Sequence, residues 1–147
     1  MADKVQGGLP EKYRPRVLSD AVGQSVAVRI LETAIRTESL VPGYIFAGPY
    51  GCGKTSLAGI FSRSIGCPNR RRGTVNPCNN CDVCLSQTKL RSNDLRQIDA
   101  ATKGSVDAIR SLREDASYAP AEGARRKVVI LDEAHRLSGA SWDARVS

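Results

Sequence analysis

The stretch that decides the fold is GPYGCGKT, residues 48–55. It fits the spacing G-x-x-x-x-G-K-[ST] of a phosphate-binding loop, in which glycines let the backbone turn so that its N–H groups face phosphate oxygens. Lys54 is then expected to reach the terminal phosphates, and the Thr55 hydroxyl to take one coordination position on Mg²⁺. The alternative is a glycine-rich surface turn that matches by chance, so the neighbouring sequence has to decide.

The segments on either side of the loop favour a nucleotide site. GYIFAG, residues 43–48, is a short apolar run typical of a buried parallel strand. After the loop, KTSLAGIFSRSI, residues 54–65, places apolar side chains at helical spacing: Leu57, Ile60, Phe61 and Ile65. The predicted order is strand, loop, helix, and the helix N-terminus adds its partial positive charge to the phosphate site.

The composition of the chain sets outer limits on its function. The 147 residues amount to about one domain. The formal charge is +7, with arginine outnumbering lysine by 16 to 6, which favours an acidic partner such as nucleic acid, although a solvated basic surface is the simpler explanation. No apolar run approaches the ~20 residues of a membrane span, and the N-terminus has no secretory signal, so we expect a cytoplasmic location and no membrane partner.

Alternating helix and strand patterns predict the architecture. A helix is expected over about residues 25–38, with Ser25 as its cap and one buried face formed by Val26, Ile30, Ala34 and Ile35. LRQIDA, residues 95–100, predicts a second strand. GSVDAIRSLREDASY, residues 104–118, predicts a helix with Val106, Ile109 and Leu112 on one face, and KVVILDEAH, residues 127–135, predicts a third strand. This alternation predicts an α/β fold with a parallel sheet and helices on both faces.

The end of the third strand carries a second chemical motif. In VVILDEAH, residues 128–135, acidic residues follow a buried strand, where open α/β sheets bind their ligands. Asp132 is expected to hold Mg²⁺, directly or through water, and Glu133 to polarise the attacking water. A strand followed by an acidic helix start is the alternative, which the phosphate loop upstream makes less favoured. His135 fits a supporting or packing role better than a catalytic one.

Four clustered cysteines form the third motif, with the spacing C-x10-C-x2-C-x2-C: Cys67, Cys78, Cys81 and Cys84. Four thiolates in a short polar loop are typical of structural Zn²⁺, which substitutes for a hydrophobic core. The triple C-x2-C-x2-C also fits iron–sulfur runs, but nothing else in the chain requires redox chemistry. Cys52 is expected to remain free.

Taken in order, the motifs resemble one family. They are EKYRPRVLSDAVGQ at 11–24, GPYGCGKTS at 48–56, the four-cysteine insertion, QIDAATKGSVDAIRSLREDASYAP at 97–120 and KVVILDEAHRLS at 127–138. This combination strongly resembles the AAA+ ATPase domain of bacterial clamp loaders, the family of the DNA polymerase III gamma/tau subunit. The resemblance implies a P-loop NTPase (AAA+) fold, with residues 1–147 forming a partial domain and residues 66–94 a zinc-binding insertion within it.

The resemblance also implies roles for individual residues. Tyr13, Arg14 and Pro15 match a segment that packs against the bound nucleotide, and Val22 with Gly23 matches a segment near the adenine. The residues matching the catalytic set are Lys54, Asp132 and Glu133, and those matching the Mg²⁺ ligands are Thr55 and Asp132. The residues matching the ATP phosphate-binding loop are Gly48, Pro49, Tyr50, Gly51, Cys52, Gly53, Lys54, Thr55 and Ser56. The residues matching the zinc ligands are Cys67, Cys78, Cys81 and Cys84, although the first gap is longer than expected and includes Arg70, Arg71 and Arg72.

The implied activity is ATP-dependent loading of a sliding clamp on primer–template DNA, together with other clamp-loader subunits. Family members continue beyond DEAHRLSGASWDA into a sensor strand, an arginine-finger segment, a helical lid and a collar that this sequence does not match. We therefore expect an incomplete sheet. We also expect the sequence to be a fragment, a frameshifted or viral remnant, or a truncated gene model. Two alternatives stay open: a module that binds nucleotide, zinc or DNA without turnover, and another motor such as a DEAH-type or branch-migration helicase.

Overall fold

The computed structural model describes residues 15–103 and 105–141, which form an α/β structure as predicted. Among these residues, no helix combines the length and the apolar character needed to cross a membrane. The elements, in chain order, are a 3₁₀ turn at Leu18–Asp20, α1 at Ser25–Arg36, α2 at Lys54–Gly66, α3 at Asp82–Thr88, β1 at Leu95–Asp99, α4 at Ala100–Lys103, α5 at Val106–Ser117, β2 at Val128–Asp132 and a second 3₁₀ turn at Ala134–Arg136.

The two strands pair in parallel, as the sequence predicts for residues 95–100 and 127–135. Their register runs from Leu95 opposite Val128 to Asp99 opposite Asp132. Helices α4 and α5 form the crossover that a parallel pair requires. Both strands therefore end at the same edge of the sheet, with an aspartate at the end of each.

Helices cover both faces of this sheet. Successive side chains of a strand point to opposite faces, so Val128 and Leu131 lie on different sides of β2. Val128 packs against the apolar cluster that α2 supplies, whereas Leu131 packs with Ile109 of α5 and Leu137. The expectation of helices on both faces is met for the two strands described.

Helix α2 lies at the centre of the larger core. All four of its predicted apolar residues are buried, as the helical spacing indicated, and Ile60 is fully inaccessible. The ring of Phe61 meets that of Tyr44 edge-on, with 4.7 Å between the ring centroids. This packing fixes the helix that begins directly after the phosphate loop.

The predicted buried face of α1 is partly wrong. Val26 and Ile30 are 73% and 59% exposed, whereas Leu31 and Ile35 are buried at 3% and 1%. Both stripes satisfy helical periodicity, and the helix turns toward α2 the stripe that includes Leu31. The predicted cap is also wrong, because Ser25 is the first helical residue and follows Gln24 at the N-cap position.

The predicted strand at residues 43–48 is wrong in the described part of the chain. The segment belongs to no strand, and Ile45 is 79% exposed. A strand requires a neighbour for its backbone N–H and C=O groups, and the described sheet has only β1 and β2. The larger parallel sheet expected of a P-loop NTPase therefore remains a prediction.

The insertion contains a helix that sequence periodicity missed. Helix α3 is only seven residues long, and it buries Val83, Cys84 and Gln87. The insertion joins the sheet at Asp94, whose buried carboxylate accepts hydrogen bonds from the backbone N–H groups of Ala121, 2.9 Å, and Glu122, 2.7 Å. Asp94 thus ties the segment before β2 to the start of β1.

Candidate nucleotide and metal sites

The phosphate loop lies exposed at the N-terminus of α2. Gly53 precedes the helix with a φ of +87°, a left-handed conformation that favours glycine and lets the chain enter the helix sharply. Tyr50 at the tip of the loop is 99% exposed, and Pro49 is exposed beside it. The loop is therefore open to solvent, and it is anchored by the buried helix α2 that follows it.

Three backbone N–H groups at this end of α2 have no partner. In the described part of the chain, the amides of Lys54, Thr55 and Ser56 donate to no acceptor, and the first capped amide is that of Leu57, which donates to the Gly53 carbonyl at 2.9 Å. Free N–H groups and the positive end of the helix dipole attract anions. The start of α2 can therefore bind phosphate oxygens.

The Lys54 ammonium lies at the mouth of the same loop. Its Nζ donates to the carbonyl oxygens of Gly48, at 2.8 Å, and Pro49, at 2.7 Å. The Cys52 Sγ is 3.9 Å from this nitrogen. The backbone carbonyl groups of the loop therefore hold the ammonium in place.

Asp132 meets the start of α2 across 77 residues of sequence. The Thr55 hydroxyl donates to its carboxylate, with oxygen separations of 3.1 and 3.2 Å. Gln97 on β1 donates its side-chain amide to the same carboxylate at 3.3 Å. A hydroxyl and a carboxylate at this separation are the oxygen ligands that Mg²⁺ prefers.

Glu133 follows Asp132 in a left-handed backbone conformation, with a φ of +52°. Such a conformation is uncommon for a residue with a side chain and often marks functional sites. The Glu133 carboxylate is exposed and lies 3.5 Å from Nε2 of His135. His135 is itself exposed, so it lies at the surface beside Glu133 and does not pack in the core.

The structure describes only some of the residues that the resemblance implies for nucleoside binding. Tyr13 and Arg14 lie outside the described residues, and Pro15 is half-buried. Val22 is 94% exposed. Two residues later, Gln24 donates its side-chain amide to the Cys52 carbonyl at 3.2 Å, which links this segment to the phosphate loop.

The four clustered cysteines converge in space. The Sγ atoms of Cys67, Cys78, Cys81 and Cys84 all lie within 4.8 Å of one another, and those of Cys67 and Cys81 are 3.9 Å apart. Tetrahedral coordination with Zn–S bonds of 2.3 Å requires sulfur separations of about 3.8 Å. The donor set and its spacing therefore fit a Zn²⁺ ion.

Backbone amides surround the sulfur atoms. The N–H groups of Asn80 and Cys81 donate to Cys78 Sγ at 3.5 and 3.3 Å, and the Cys78 N–H donates to Cys67 Sγ at 3.5 Å. Burial acts to raise the pKa of Cys78, but the two backbone donors together with hydrogen bonds to the side chains of Cys67 and Cys81 outweigh it and lower the pKa to about 7. Burial raises the pKa of Cys84, which is the deepest of the later three cysteines. Donors of this kind stabilise thiolates and orient metal ligands.

Sequence reasoning did not identify two residues of the candidate nucleotide site. Gln97 contacts Asp132 from the adjacent strand, and Gln24 contacts the loop from the residue before α1. The only signal for Gln97 was its polar side chain inside an apolar strand pattern. Its partner could not be inferred, because the strand register that pairs β1 with β2 is a tertiary property.

Comparison with known proteins places the chain in a family. A family model described as DNA polymerase III, delta subunit, matches residues 23–144. The chain is 43% identical over 134 residues to the DNA polymerase III subunit gamma/tau of Mycoplasma pneumoniae, covering 91% of this chain and 19% of that protein. It is 41% identical over 138 residues to the gamma/tau subunit of Mycobacterium tuberculosis H37Rv, covering 92% of the chain and 23% of the relative.

The match extends to a third genus. The chain is 37% identical over 136 residues to the tau subunit of Escherichia coli K12, covering 92% of the chain and 21% of that protein. It spans about a fifth of the length of the curated relatives that it matches. The resemblance to gamma/tau subunits that the motifs indicated is confirmed. Because the family model covers most of the chain, the chain belongs to the family described as DNA polymerase III, delta subunit, and the relatives that it matches are gamma/tau and tau subunits of the same polymerase.

Proposed function

We propose that this chain is the ATP-binding module of a DNA sliding-clamp loader, which couples ATP binding and hydrolysis to loading of the clamp during replication. The observation that carries the proposal is the set of unpartnered N–H groups at Lys54, Thr55 and Ser56, beside the Lys54 ammonium. Every helix leaves its first amides free, but here they lie beside the Lys54 ammonium and, through Thr55, beside the Asp132 carboxylate. Donors for phosphate and oxygen ligands for Mg²⁺ therefore meet at one helix end.

The phosphates of ATP would bind at the start of α2. The free amides of Lys54, Thr55 and Ser56 would donate to phosphate oxygens, and the exposed loop from Gly48 to Gly53 would wrap around them. The Lys54 ammonium would exchange the carbonyls of Gly48 and Pro49 for oxygens of the terminal phosphates. That exchange replaces neutral acceptors by charged ones, which make stronger hydrogen bonds.

Thr55 and Asp132 would hold Mg²⁺, with Gln97 keeping the Asp132 carboxylate in place. When bound, the ion would supply positive charge that neutralises part of the negative charge of the phosphates. Glu133 would accept the proton of the attacking water, because its carboxylate is exposed one residue beyond the Mg²⁺ ligand. His135, 3.5 Å from that carboxylate, would orient it.

The cysteine cluster would hold a structural zinc ion. Four thiolates fill a tetrahedral coordination sphere and leave no position for a substrate. Cys67 is the C-cap of α2, so the metal would fasten the insertion to the helix that begins at the phosphate loop. The implied partners are other loader subunits, the clamp and primer–template DNA, in the cytoplasm.

Calorimetric titration of MgATP tests the nucleotide site. Lys54→Ala should weaken binding by about 10- to 100-fold, the range expected for hydrogen bonds to a charged group. Lys89→Ala is the matched control, since it removes the same charge from an exposed position at the end of α3. Equal affinity in parent and Lys54→Ala would contradict the proposal.

Turnover measured on the same samples separates the remaining alternatives. ATP binding with hydrolysis that depends on Glu133 supports the ATPase module. Binding without any turnover supports a module that only binds nucleotide. Zinc retained after dialysis against metal-free buffer supports zinc binding by the four-cysteine insertion. A DEAH-type helicase would not require such an insertion.

A further inference from the structure

A turn rich in arginine follows the end of α2. The Thr74 N–H donates to the Arg71 carbonyl at 3.1 Å, and the Thr74 hydroxyl donates to the same oxygen at 2.7 Å. Gly73 has a φ of +78°, which is typical of a tight turn. Arg71 and Arg72 are exposed on this turn.

Buried contacts hold the turn in place from below. The Arg70 side chain is only 4% exposed; it donates to the Thr74 carbonyl at 2.8 Å and lies 3.7 Å from the Glu38 carboxylate. Arg125 donates to the carbonyl of Pro68 at 3.1 Å and also to that of Arg70. Arg70 and Arg125 therefore brace the loop, and this leaves the next two arginines facing solvent on a fixed backbone.

The positive charge at this place is not neutralised. Among residues 15–103 and 105–141, Arg71, Arg72, Arg125 and Arg126 form no ion pair with a carboxylate, and all four are exposed. The Glu38 carboxylate pairs with Arg70 and with neither Arg71 nor Arg72. Burial lowers the pKa of Arg70, and the adjacent charge of Arg125 lowers it further, which reflects the crowding of cations here.

The arginine turn lies far from the phosphate loop. The Arg125 N–H donates to the Gly66 carbonyl at 2.8 Å, which places this segment at the C-terminus of α2, while Lys54 begins the helix. A helix rises about 1.5 Å per residue, so the 13 residues of α2 separate the two places by about 18 Å. A ligand at the arginine turn is therefore distinct from the bound nucleotide.

We propose that Arg71 and Arg72, braced by Arg70 and Arg125, form a second anion-binding surface that contacts the phosphate backbone of duplex DNA. Guanidinium groups pair with phosphate through two parallel hydrogen bonds. Duplex DNA presents one negative charge per ~1.7 Å, a denser array than an extended acidic polypeptide, which spans about 3.3–3.6 Å per residue. Residues 67–74 and 121–127 contain no aromatic side chain on which the bases of a single strand could stack, so the contact is to the backbone.

The test is fluorescence anisotropy of a short labelled duplex titrated with the full 147-residue chain at several salt concentrations. Two lost phosphate contacts should reduce the slope of log affinity against log salt by about 1.8 in Arg71→Ala/Arg72→Ala. Arg71→Lys/Arg72→Lys should restore the slope, because it restores the charges. The matched control is Arg29→Ala/Arg110→Ala, which removes the same charge from exposed positions on α1 and α5 and should keep the parental slope.

Three further measurements complete the test. Zinc content and the urea midpoint should match the parent in each variant, since both arginines are exposed. The proposal is overturned if both double alanine variants lose slope equally, if Arg71→Ala/Arg72→Ala changes nothing, or if that variant loses affinity for poly-glutamate while keeping its affinity for DNA.

Discussion

The hydroxyl of Thr55 lies 3.1 Å from the carboxylate of Asp132, although 77 residues separate the two in sequence. Thr55 is the second residue of α2, and Asp132 is the last residue of β2. This contact brings the two sequence motifs into one site. It exists because α2 packs on β2 with its N-terminus at the edge where the parallel strands end.

Asp132→Asn should remove the dependence of ATP affinity on Mg²⁺. An amide keeps the size of the side chain but supplies one weak oxygen ligand in place of a charged carboxylate. The measurement is calorimetric ATP titration with Mg²⁺ and with EDTA. Asp107→Asn, at an exposed position on α5, is the control and should keep the parental difference. An unchanged Mg²⁺ effect in Asp132→Asn would mean that this carboxylate is not a ligand.

Glu133→Gln should keep ATP binding and lose hydrolysis. In the proposed mechanism the carboxylate acts on water and not on the nucleotide, so its loss would remove the base without removing a phosphate contact. General bases typically contribute about 10²–10⁴-fold in rate. Phosphate release and ATP titration on the same sample make the comparison. Hydrolysis at the parental rate in this variant would exclude Glu133 as the base.

Cys78→Ser should release zinc and lower stability toward urea. Freshly purified, reduced parent protein should contain one Zn²⁺ per chain, because four thiolates form one tetrahedral site. Cys52→Ser is the matched control, since its thiol lies in the phosphate loop and outside the cluster. Elemental analysis provides the readout. A brown, iron-containing protein, or full zinc content in Cys78→Ser, would contradict the assignment.

Gly66→Ala should destabilise the fold by about 1–2 kcal/mol, the balance between overpacking and better helix propensity. A Cβ on Gly66 would lie 2.5 Å from Cδ2 of Leu95, which is fully buried on β1 and would have to shift within the core. Gly59 in the same helix is the matched control, because its nearest neighbours would be 3.8 and 3.9 Å away. Gly59→Ala should therefore raise the free energy of unfolding by up to about 1 kcal/mol. Urea denaturation of both variants separates the effect of the close approach to Leu95 from the effect of helix propensity. Equal changes in the free energy of unfolding in the two variants would refute this explanation.

The sequence by itself determined the features that depend on local chemistry. The glycine spacing before Lys54 predicted a loop followed by a helix, and periodicity predicted which side chains of α2 are buried. The loop and the start of the helix depend on interactions within a few residues. The buried side chains of α2 could be predicted because the helix is so apolar that its buried side is unambiguous. The cysteine spacing likewise predicted a cluster, because short loops bring the thiols of Cys78, Cys81 and Cys84 together regardless of the rest of the fold.

Tertiary structure decided everything that depends on a distant neighbour. Helix α1 has two apolar stripes of similar period, and only packing against α2 selected Leu31 over Ile30. The sequence of residues 43–48 predicts a strand. A strand forms only where a neighbouring strand pairs with its backbone, and the described sheet pairs β1 with β2 alone. Gln97 became a contact of Asp132 through strand register, and the buried Arg70 side chain pairs with Glu38, which lies in a distant part of the sequence. These outcomes are set by which surfaces meet, and no local pattern encodes that.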